Sequence, residues 1–123
     1  FTDGRDTDPK SGIGFIDKVN NKLKLLGFGT IATISGRYYA MDRDNNFDRI
    51  KLAYDAIVSS EGKEYNNYNE LFKDSYNAGI TDEFIVPSVI DKEGNIENND
   101  GIILFNYRKD RIVELFSCLT NEE

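Results

Sequence analysis

The sequence predicts an α/β domain in which a mostly parallel sheet is flanked by helices, in three layers. Segments with the helical spacing of apolar residues alternate along the chain with short β-branched or wholly apolar runs, and this order is typical of parallel sheets. The strand-like runs are fewer than a free-standing domain of this class usually has. We therefore expect a single domain over residues 1–123 whose sheet is incomplete at its N-terminal side.

Length and composition narrow the classes of function. The chain has 123 residues and begins at Phe1 rather than at methionine, so we expect one domain cut from a longer protein. Its formal net charge of −7 disfavours a nucleic-acid partner, because general nucleic-acid binders are usually basic. No apolar run has membrane-spanning length and no secretory leader is visible, so we expect no membrane partner. The single cysteine, Cys118, excludes an internal disulfide and fits a cytoplasmic location.

The first helix is predicted by apolar residues that recur every three or four positions after Ser11, its candidate N-cap. The predicted buried face comprises Ile13, Ile16, Val19, Leu23 and Leu26. Gly27 and Gly29 are expected to end this helix. Residues 30–34 are rich in β-branched side chains and predict a buried strand.

Two further helices are predicted in the middle of the chain. The first begins near Phe47, with Asp44 or Asn45 as its N-cap, and its apolar residues again have helical spacing. The second, shorter helix follows Asn67, which together with Glu70 resembles a capping box.

Two strands and a last helix are predicted in the second half. Residues 84–86 are a strand candidate, and Pro87 makes them an edge strand or a strand end. Residues 102–105 form a continuous apolar run that is typical of a central strand. The last helix is predicted by apolar residues on one side, namely Ile112, Leu115, Phe116 and Leu119.

The arginines form the most informative pattern in the chain. Five of the six follow strand-like segments directly, in three separate loops, whereas Arg49 lies within a predicted helix. The five are Arg5, Arg37, Arg43, Arg108 and Arg111. Because the carboxyl ends of parallel strands meet at one edge of a sheet, we expect these guanidinium groups to converge. Arginine suits bidentate recognition of carboxylate and phosphate, so the pattern predicts a small-anion pocket.

The same arginines have a purely structural interpretation as members of loop-fixing ion pairs. The available aspartates are Asp3, Asp6, Asp42, Asp44 and Asp110. Among these, Asp42 and Asp44 are expected to brace Arg43 and to cap the following helix. Asp6, beside Arg5, is a catalytic candidate, because a carboxylate at a strand end could orient or deprotonate a substrate hydroxyl. The alternative for Asp6 is a hydrogen-bonding role within its own loop.

The sequence gives little support for nucleophilic catalysis, a metal site or a phosphate-binding loop. The chain has no histidine, which removes Ser-His and Cys-His nucleophile pairs and most zinc sites. No acidic cluster has EF-hand spacing, so we expect no metal site in this chain. Gly27 and Gly29 precede a strand instead of opening a helix, so they do not form a phosphate loop. Cys118, on the last helix, is expected to be packed rather than reactive.

Three motifs of this sequence resemble those of the cofactor-independent phosphoglycerate mutases. They are residues 3–11 (DGRDTDPKS), residues 35–44 (SGRYYAMDRD) and residues 105–111 (FNYRKDR). The segment from Asp82 to Pro87 and the pair Asp100-Gly101 are similar to that family as well. The likeness runs in order over nearly the whole chain, and the middle motif is the most specific.

The resemblance implies an enzyme that interconverts 3-phosphoglycerate and 2-phosphoglycerate in glycolysis and gluconeogenesis. Such enzymes have a phosphatase-like domain with a serine nucleophile and two metal ions, usually manganese, and an inserted transferase domain that holds the glycerate. The serine takes the phosphoryl group and returns it to the other hydroxyl. This chain resembles most of the transferase domain, so the implied partners are phosphoglycerate and the missing phosphatase-like domain.

By motif, the resemblance assigns roles to particular residues. Arg5 and Asp6 would contact the glycerate, with Asp6 as the acid or base for its hydroxyls. The remaining arginines would hold carboxylate and phosphoryl oxygens: Arg37, Arg43, Arg108 and Arg111. The chain lacks the family's pocket histidine, a lysine of the other domain, the metal ligands and the nucleophilic serine. We therefore expect the chain to hold no cofactor and to be inactive by itself.

Two other functions stay open at this stage. The arginines could belong to a non-catalytic anion- or nucleotide-binding α/β module that senses a phosphorylated metabolite. They could also be structural, in which case the chain would show no response to ligands.

Overall fold

The structure is a computed structural model that describes residues 1–121, and it confirms the α/β class. Five helices and three short strands lie within these residues: α1 (Gly12–Leu26), β1 (Thr33–Ile34), α2 (Arg37–Ala40), α3 (Phe47–Ser59), β2 (Lys63–Glu64), α4 (Tyr68–Asn77), β3 (Ser88–Val89) and α5 (Lys109–Thr120). Single 3-10 turns occur at Asp82–Phe84 and Lys92–Gly94. Over these residues, no helix combines the length and the apolar character needed to cross a membrane.

The sheet is small and mixed. Strand β3 lies between the other two; it runs antiparallel to β1, with Thr33 opposite Val89, and parallel to β2. A parallel bridge between Thr2 and Gly36 places the N-terminal segment beside the end of β1. The sheet is therefore flanked by helices, as predicted, but only one of its two strand pairings is parallel.

Helices α1 and α4 form where the spacing of apolar residues predicts them. Helix α1 starts after Ser11 and ends at Gly27, whose φ of 76° is the left-handed conformation that favours glycine. The side chain of Asn67 accepts a hydrogen bond from the backbone N–H of Glu70, as a capping residue should. The predicted buried face of α1 is only partly buried, because Val19 is about half exposed (49%).

Helix α3 also forms, but its cap differs from the prediction. The N-cap position is Asn46, not Asp44 or Asn45. The reason is local: the backbone turns at Asn45, whose φ is 60°, and helical geometry begins only after that turn.

The predicted central strand at residues 102–105 is wrong. This segment has no regular secondary structure, and Ile103 and Phe105 are 80% and 93% exposed. A wholly apolar strand needs neighbours that pair its backbone and cover both faces, and no segment within residues 1–121 does so. The strand predicted at residues 84–86 is likewise wrong: Phe84 ends a 3-10 turn, and residues 85 and 86 have no regular secondary structure. Strand β3 starts only after Pro87.

Two apolar clusters form the core. One contains Ile34, Leu71, Phe72 and Ile85 and lies between the sheet and α4. The other joins α3 to α5 and contains Ile50, Ile112 and Leu115. Burial of each such side chain stabilises the fold by roughly 1.5–3 kcal/mol. The second cluster fixes the starts of α3 and α5, where several of the arginines lie.

A buried carboxylate connects the N-terminal segment to the rest of the fold. Asp82 is fully buried, and its Oδ2 atom accepts a 2.6 Å hydrogen bond from the backbone N–H of Gly12. Tyr76 donates its hydroxyl proton to Oδ1, and the hydroxyl of Thr2 donates to the Asp82 carbonyl at 2.7 Å. These contacts hold the start of α1 and residues 1–3 in place, directly before the first arginine loop.

Candidate anion-binding site

Three segments that are distant in the sequence meet at one site. They are residues 3–8, α2 with the loop of residues 41–46, and the start of α5. Ion pairs join them, since Arg37 pairs with Asp6 across 31 positions and Arg43 pairs with Asp110 across 67 positions. The structure thus brings together the loops that the sequence predicts to converge, although residues 102–105 are not a strand.

Arg37 is the buried centre of this site. Only 5% of it is exposed, and its Nη1 atom lies 2.8 Å from carboxylate oxygens of both Asp3 and Asp6. Burial lowers the pKa of this guanidinium, but the hydrogen bonds and charges of the two aspartates outweigh burial and leave the pKa raised. Arg37 is therefore a fixed cation whose position sets that of the loop at residues 3–6.

The loop at residues 3–6 is also ordered by its own backbone. The Oδ1 atom of Asp3 accepts hydrogen bonds from the backbone N–H groups of Arg5, at 3.2 Å, and Asp6, at 3.1 Å. Burial raises the pKa of Asp3, whereas the hydrogen bonds from Arg37 and from these two N–H groups lower it, and the net shift is downward. Asp3 therefore stays ionised and holds Arg5 and Asp6 in a tight turn.

Arg43, Arg108 and Asp110 form a more exposed ion-pair group. Arg43 Nη1 lies 2.7 Å from Asp110 Oδ2, and Arg108 Nη2 lies 3.5 Å from the same oxygen. Arg108 Nη1 is also 4.0 Å from Asp6 Oδ2. The hydrogen bond from Arg43 is the largest cause of the lowered pKa of Asp110. Exposed pairs of this kind contribute little stability, so a competing anion could exchange with Asp110.

Arg111 shows most clearly that the arginines converge. Its Nη1 atom donates to the Met41 carbonyl at 3.2 Å, while its buried Nε–H meets no acceptor among residues 1–121. Burial lowers the pKa of Arg111, and four neighbouring positive charges lower it further: those of Arg43, Arg37, Arg108 and Arg5. These are the other four arginines that the sequence singles out.

Two clefts open onto the arginine cluster and share Arg37. The larger, of about 370 Å³, is lined by two aromatic residues, three carboxylates and five arginines: Tyr38, Phe84, Asp42, Asp44, Glu83, Arg5, Arg37, Arg43, Arg49 and Arg111. The smaller, of about 250 Å³, is lined by Asp3, Asp6, Arg37, Met41, Asn106 and Arg108, among others. A cationic region thus exists on a chain whose net charge is −7. The two clefts together can hold a small ligand with two anionic groups. Asp6 lines the smaller cleft, where its Oδ2 atom lies 4.0 Å from Arg108 Nη1.

Arg49 is a site residue that sequence reasoning left out. It lies in the first turn of α3, where its guanidinium stacks over the ring of Tyr38, 3.9 Å from the centroid. Tyr38 in turn packs against Phe84, with ring centroids 5.1 Å apart. Its position in the sequence could have indicated this role, because Arg49 is only three residues after the N-cap of α3 and so lies close to the loop that carries Arg43.

The predicted partner of Asp42 is wrong. Asp42 pairs with Arg49, whose Nη1 atom lies 3.3 Å from Oδ1, whereas Arg43 pairs with Asp110. Asp42 also does not cap α3 itself: the N-cap is Asn46, and Asp42 Oδ2 accepts the backbone N–H of that residue at 2.8 Å. The partner differs because Asp110 comes from a segment that is far away in sequence.

The described residues contain no cluster of side chains suited to bind a metal ion. Over residues 1–121, no group of three or more His, Cys, Asp or Glu side chains could hold a metal ion. The ionisable groups of the site are guanidinium groups and carboxylates. Asp6, with 65% of its side chain exposed, is more accessible than Asp110 at 48% and Asp3 at 36%.

Comparison with known proteins places this geometry in context. A family model described as the BPG-independent PGAM N-terminus matches residues 1–123. Two curated proteins named 2,3-bisphosphoglycerate-independent phosphoglycerate mutase match all of the chain. The protein of Clostridioides difficile (strain 630) is 46% identical over 127 residues, and that of Parabacteroides distasonis (strain ATCC 8503) is 50% identical over 127 residues. The chain spans 25% of the length of each.

A solved structure is similar along almost the whole chain. It is a crystal structure of Leishmania mexicana phosphoglycerate mutase at low cobalt concentration, with a TM-score of 0.88 and 25% sequence identity. The similarity covers 98% of this chain and 24% of that protein.

Proposed function

Because this chain belongs to the family of BPG-independent phosphoglycerate mutases, we propose that it is the phosphoglycerate-binding part of a transferase domain in such an enzyme. The longer protein, called here the parent protein, would be cytoplasmic. It would interconvert 3-phosphoglycerate and 2-phosphoglycerate. This chain would contribute the binding of the glycerate and of its carboxylate and phosphoryl oxygens.

The observation that carries the proposal is the environment of Arg111. Arg111 is half-buried, its buried Nε–H meets no acceptor among residues 1–121, and the charges of four further arginines act on it. This arrangement is unfavourable in isolation, since each like charge and each unmade hydrogen bond costs free energy. An anion in the adjoining cleft would satisfy the donor and offset the repulsion. Phosphoglycerate carries a carboxylate and a phosphate, which suits two clefts that share Arg37.

The residues of the site would divide the work as follows. Arg5 and Arg111, which have no carboxylate partner within residues 1–121, would take the charge of the ligand directly. Arg43 and Arg108 would exchange Asp110 for ligand oxygens. Asp6, whose Oδ2 atom is held by Arg37, would face a glycerate hydroxyl and move its proton.

The remaining chemistry is assigned to parts of the parent protein outside this chain. A phosphatase-like domain would supply the serine nucleophile and would bind two divalent metal ions, for which we propose manganese. The exposed side chain of Tyr107 lines the smaller cleft, and those of Ile103 and Phe105 line another cleft of about 390 Å³. We propose that the rest of the parent protein covers these three side chains. The 123-residue chain alone would show only background mutase activity in the presence of manganese.

The proposal is tested by steady-state kinetics of the parent protein with Arg108→Ala and Lys109→Ala, which each remove one positive charge from adjacent positions. We expect Arg108→Ala to lower kcat/KM for 3-phosphoglycerate by a factor of ten or more, which corresponds to about 1.4 kcal/mol of transition-state binding. Lys109→Ala should change it by less than a factor of two. Equal effects of the two variants would contradict the proposal, and preferential binding of nucleotides would favour a nucleotide-binding module instead.

A further inference from the structure

Two buried acidic side chains bond neighbouring backbone N–H groups of the loop beside the arginine site. Asp42, at the end of α2, is 4% exposed, and Glu114, on α5, is 9% exposed. The Oε1 atom of Glu114 accepts a 2.7 Å hydrogen bond from the backbone N–H of Asn45. Its Oε2 atom is buried and meets no donor in the structure of residues 1–121. A buried, unpaired carboxylate oxygen beside a second carboxylate requires an explanation.

The hydrogen bonds of Asp42 show which of the two acids is ionised. Its Oδ2 atom accepts the backbone N–H groups of Asp44, at 3.0 Å, and Asn46, at 2.8 Å. Its Oδ1 atom accepts the side-chain amide of Asn46 at 2.9 Å and Arg49 Nη1 at 3.3 Å. All four contacts require Asp42 to be an acceptor, so it is the charged partner. A proton on Glu114 Oε2 would give this atom a partner, because it could then donate to the ionised Asp42.

We propose that Glu114 is protonated in the folded protein and donates from Oε2 to Asp42, so that one shared proton fixes residues 42–46 and makes Glu114 a positioning residue for the arginine site. The first half of this inference stands on the burial of both acids, on the unpaired Oε2 atom and on the bonds of both acids to the backbone of one loop. The second half, concerning the site, rests on the proposed function.

The charges around Glu114 agree with this assignment. Burial is the largest cause that raises the pKa of Glu114, and the hydrogen bond to Asp42 and the charges of Asp42 and Asp44 raise it further. The N–H of Asn45 acts in the opposite direction. Burial also raises the pKa of Asp42, but its hydrogen bonds, including the one from Glu114, outweigh burial and lower it. Arg49 of α3 forms an ion pair with Asp42 and not with Glu114, so its positive charge stabilises the ionised form of Asp42.

The shared proton affects the arginine site because the loop that it holds in place contains Arg43. Residues 42–46 include Arg43, and they turn at Asn45, the residue whose N–H is bonded to Glu114. Loss of the proton would leave two adjacent buried carboxylates, which repel each other. The loop would then move away from α5, and Arg43 would leave Asp110 and the larger cleft. Anion affinity is therefore expected to fall as the pH rises through the pKa of Glu114.

The first test is a pH titration of this chain by NMR, with the Glu114 carboxyl carbon and the amide signals of Asn45 and Asn46 as probes. Wild type is compared with Glu114→Gln, which keeps one donor and one acceptor, with Glu114→Ala, which keeps neither, and with the exposed control Glu61→Gln. We expect Glu114 to titrate above the ordinary glutamate value of 4.5, and the two amides to shift with the same midpoint. Glu114→Gln should hold both amides at their low-pH positions throughout, and Glu114→Ala should displace them.

A Glu114 carboxyl that titrates at or below 4.5 would overturn the proposal of a shared proton. The same conclusion would follow if Glu114→Gln displaced the amide signals of Asn45 and Asn46 as much as Glu114→Ala does. The positioning role is tested by the affinity for 3-phosphoglycerate across pH. Because the phosphate itself titrates near pH 6, the decisive comparison is between wild type and Glu114→Gln. We expect wild type to lose at least about threefold more affinity than Glu114→Gln as Glu114 deprotonates.

Identical pH profiles of wild type and Glu114→Gln, with binding intact, would overturn the positioning role. If wild type failed to bind 3-phosphoglycerate at every pH, the proposed function would fail instead. The carboxyl titration would still decide whether Glu114 shares its proton with Asp42. The two proposals can therefore fail separately.

Discussion

The Nη1 atom of Arg37 lies 2.8 Å from a carboxylate oxygen of Asp6, although the arginine is buried and the aspartate is largely exposed. A buried guanidinium needs a counter-charge, and Asp6 shares that role with Asp3. The consequence is that Asp6 is oriented by the fold before any ligand arrives. Asp6 lines the smaller cleft, and the contacts to Arg37 and Arg108 engage its Oδ2 atom. A proton-transferring carboxylate needs an oriented side chain of this kind at the cleft.

Removing Arg37 should destabilise the fold as well as the site. Arg37→Ala leaves Asp3 and Asp6 without their shared donor, and we expect a loss of about 1–3 kcal/mol in the free energy of unfolding. Arg37→Lys keeps the charge but cannot reproduce the planar guanidinium donors, so we expect a smaller loss. Urea unfolding measures both. An Arg37→Ala variant as stable as wild type would mean that this ion-pair group does not hold the loop.

The catalytic role of Asp6 can be separated from its structural role by comparison with Asp3, because both accept from the same Arg37 atom. In the parent protein, Asp6→Asn should lower kcat by a factor of roughly 10²–10⁴ with little change in KM, as expected for loss of a general acid or base. Asp3→Asn should lower stability and leave kcat within about tenfold of wild type. If both variants lost kcat equally, Asp6 would have no special role.

Gly36 is required by the close approach of two backbone segments. A Cβ atom at this position would lie 2.3 Å from the Glu83 carbonyl oxygen and 2.7 Å from the Ile85 nitrogen. These are backbone atoms that cannot rotate away, so Gly36→Ala should cost about 1–3 kcal/mol.

The matched control is Gly14→Ala, since a Cβ atom at Gly14 meets open space on the surface of α1. This change should stabilise the protein by up to about 1 kcal/mol, because alanine has the higher helix propensity. Thermal unfolding measures both changes: we expect a lower Tm for Gly36→Ala and a higher Tm for Gly14→Ala. A Gly36→Ala variant with an unchanged Tm would show that the two segments are not held this closely.

The stability of the chain should respond to pH in two opposite senses. The folded pKa of Asp3 lies below its ordinary value of 3.8, so its contribution is present above that value and is lost as the pH falls through the folded pKa. The folded pKa of Glu114 lies above its ordinary value of 4.5. Its contribution is therefore complete below 4.5 and is lost as the pH rises through the raised folded pKa.

Urea unfolding of wild type, Asp3→Asn and Glu114→Gln across pH measures these two contributions. We expect Glu114→Gln to remove the loss of stability on the rising-pH side, and Asp3→Asn to weaken the loss at low pH. Curves for Glu114→Gln and wild type that run parallel above pH 4.5 would contradict the sign assigned to Glu114.

Local features of the sequence were sufficient for the helices. Apolar spacing locates α1 and α5, and the Asn67 cap of α4 acts within three residues of chain. Residues 102–105 were predicted wrongly because strand formation depends on partners that the segment does not have within residues 1–121.

The sequence predicted most of the arginines that belong to the site, but not which carboxylates they pair with. The arginines stand out because their order after strand-like segments is visible in the sequence. The partner of Arg43 is not visible, because Asp110 lies 67 positions away. Glu114 gave no signal at all, since a glutamate on an amphipathic helix ordinarily points to solvent, whereas this one is buried.

The most direct test of the central claim is an NMR titration of this chain with 3-phosphoglycerate, at low and at moderate salt, observing the arginine Nε–H signals. Binding at the proposed site predicts shifts at Arg5, Arg37, Arg43, Arg108 and Arg111, with the largest at the unpaired Nε–H of Arg111. These shifts should weaken with salt because the interaction is ionic. A folded sample in which Arg111 shifts no more than the exposed lysines of α1 would contradict the claim that these arginines form a phosphoglycerate site.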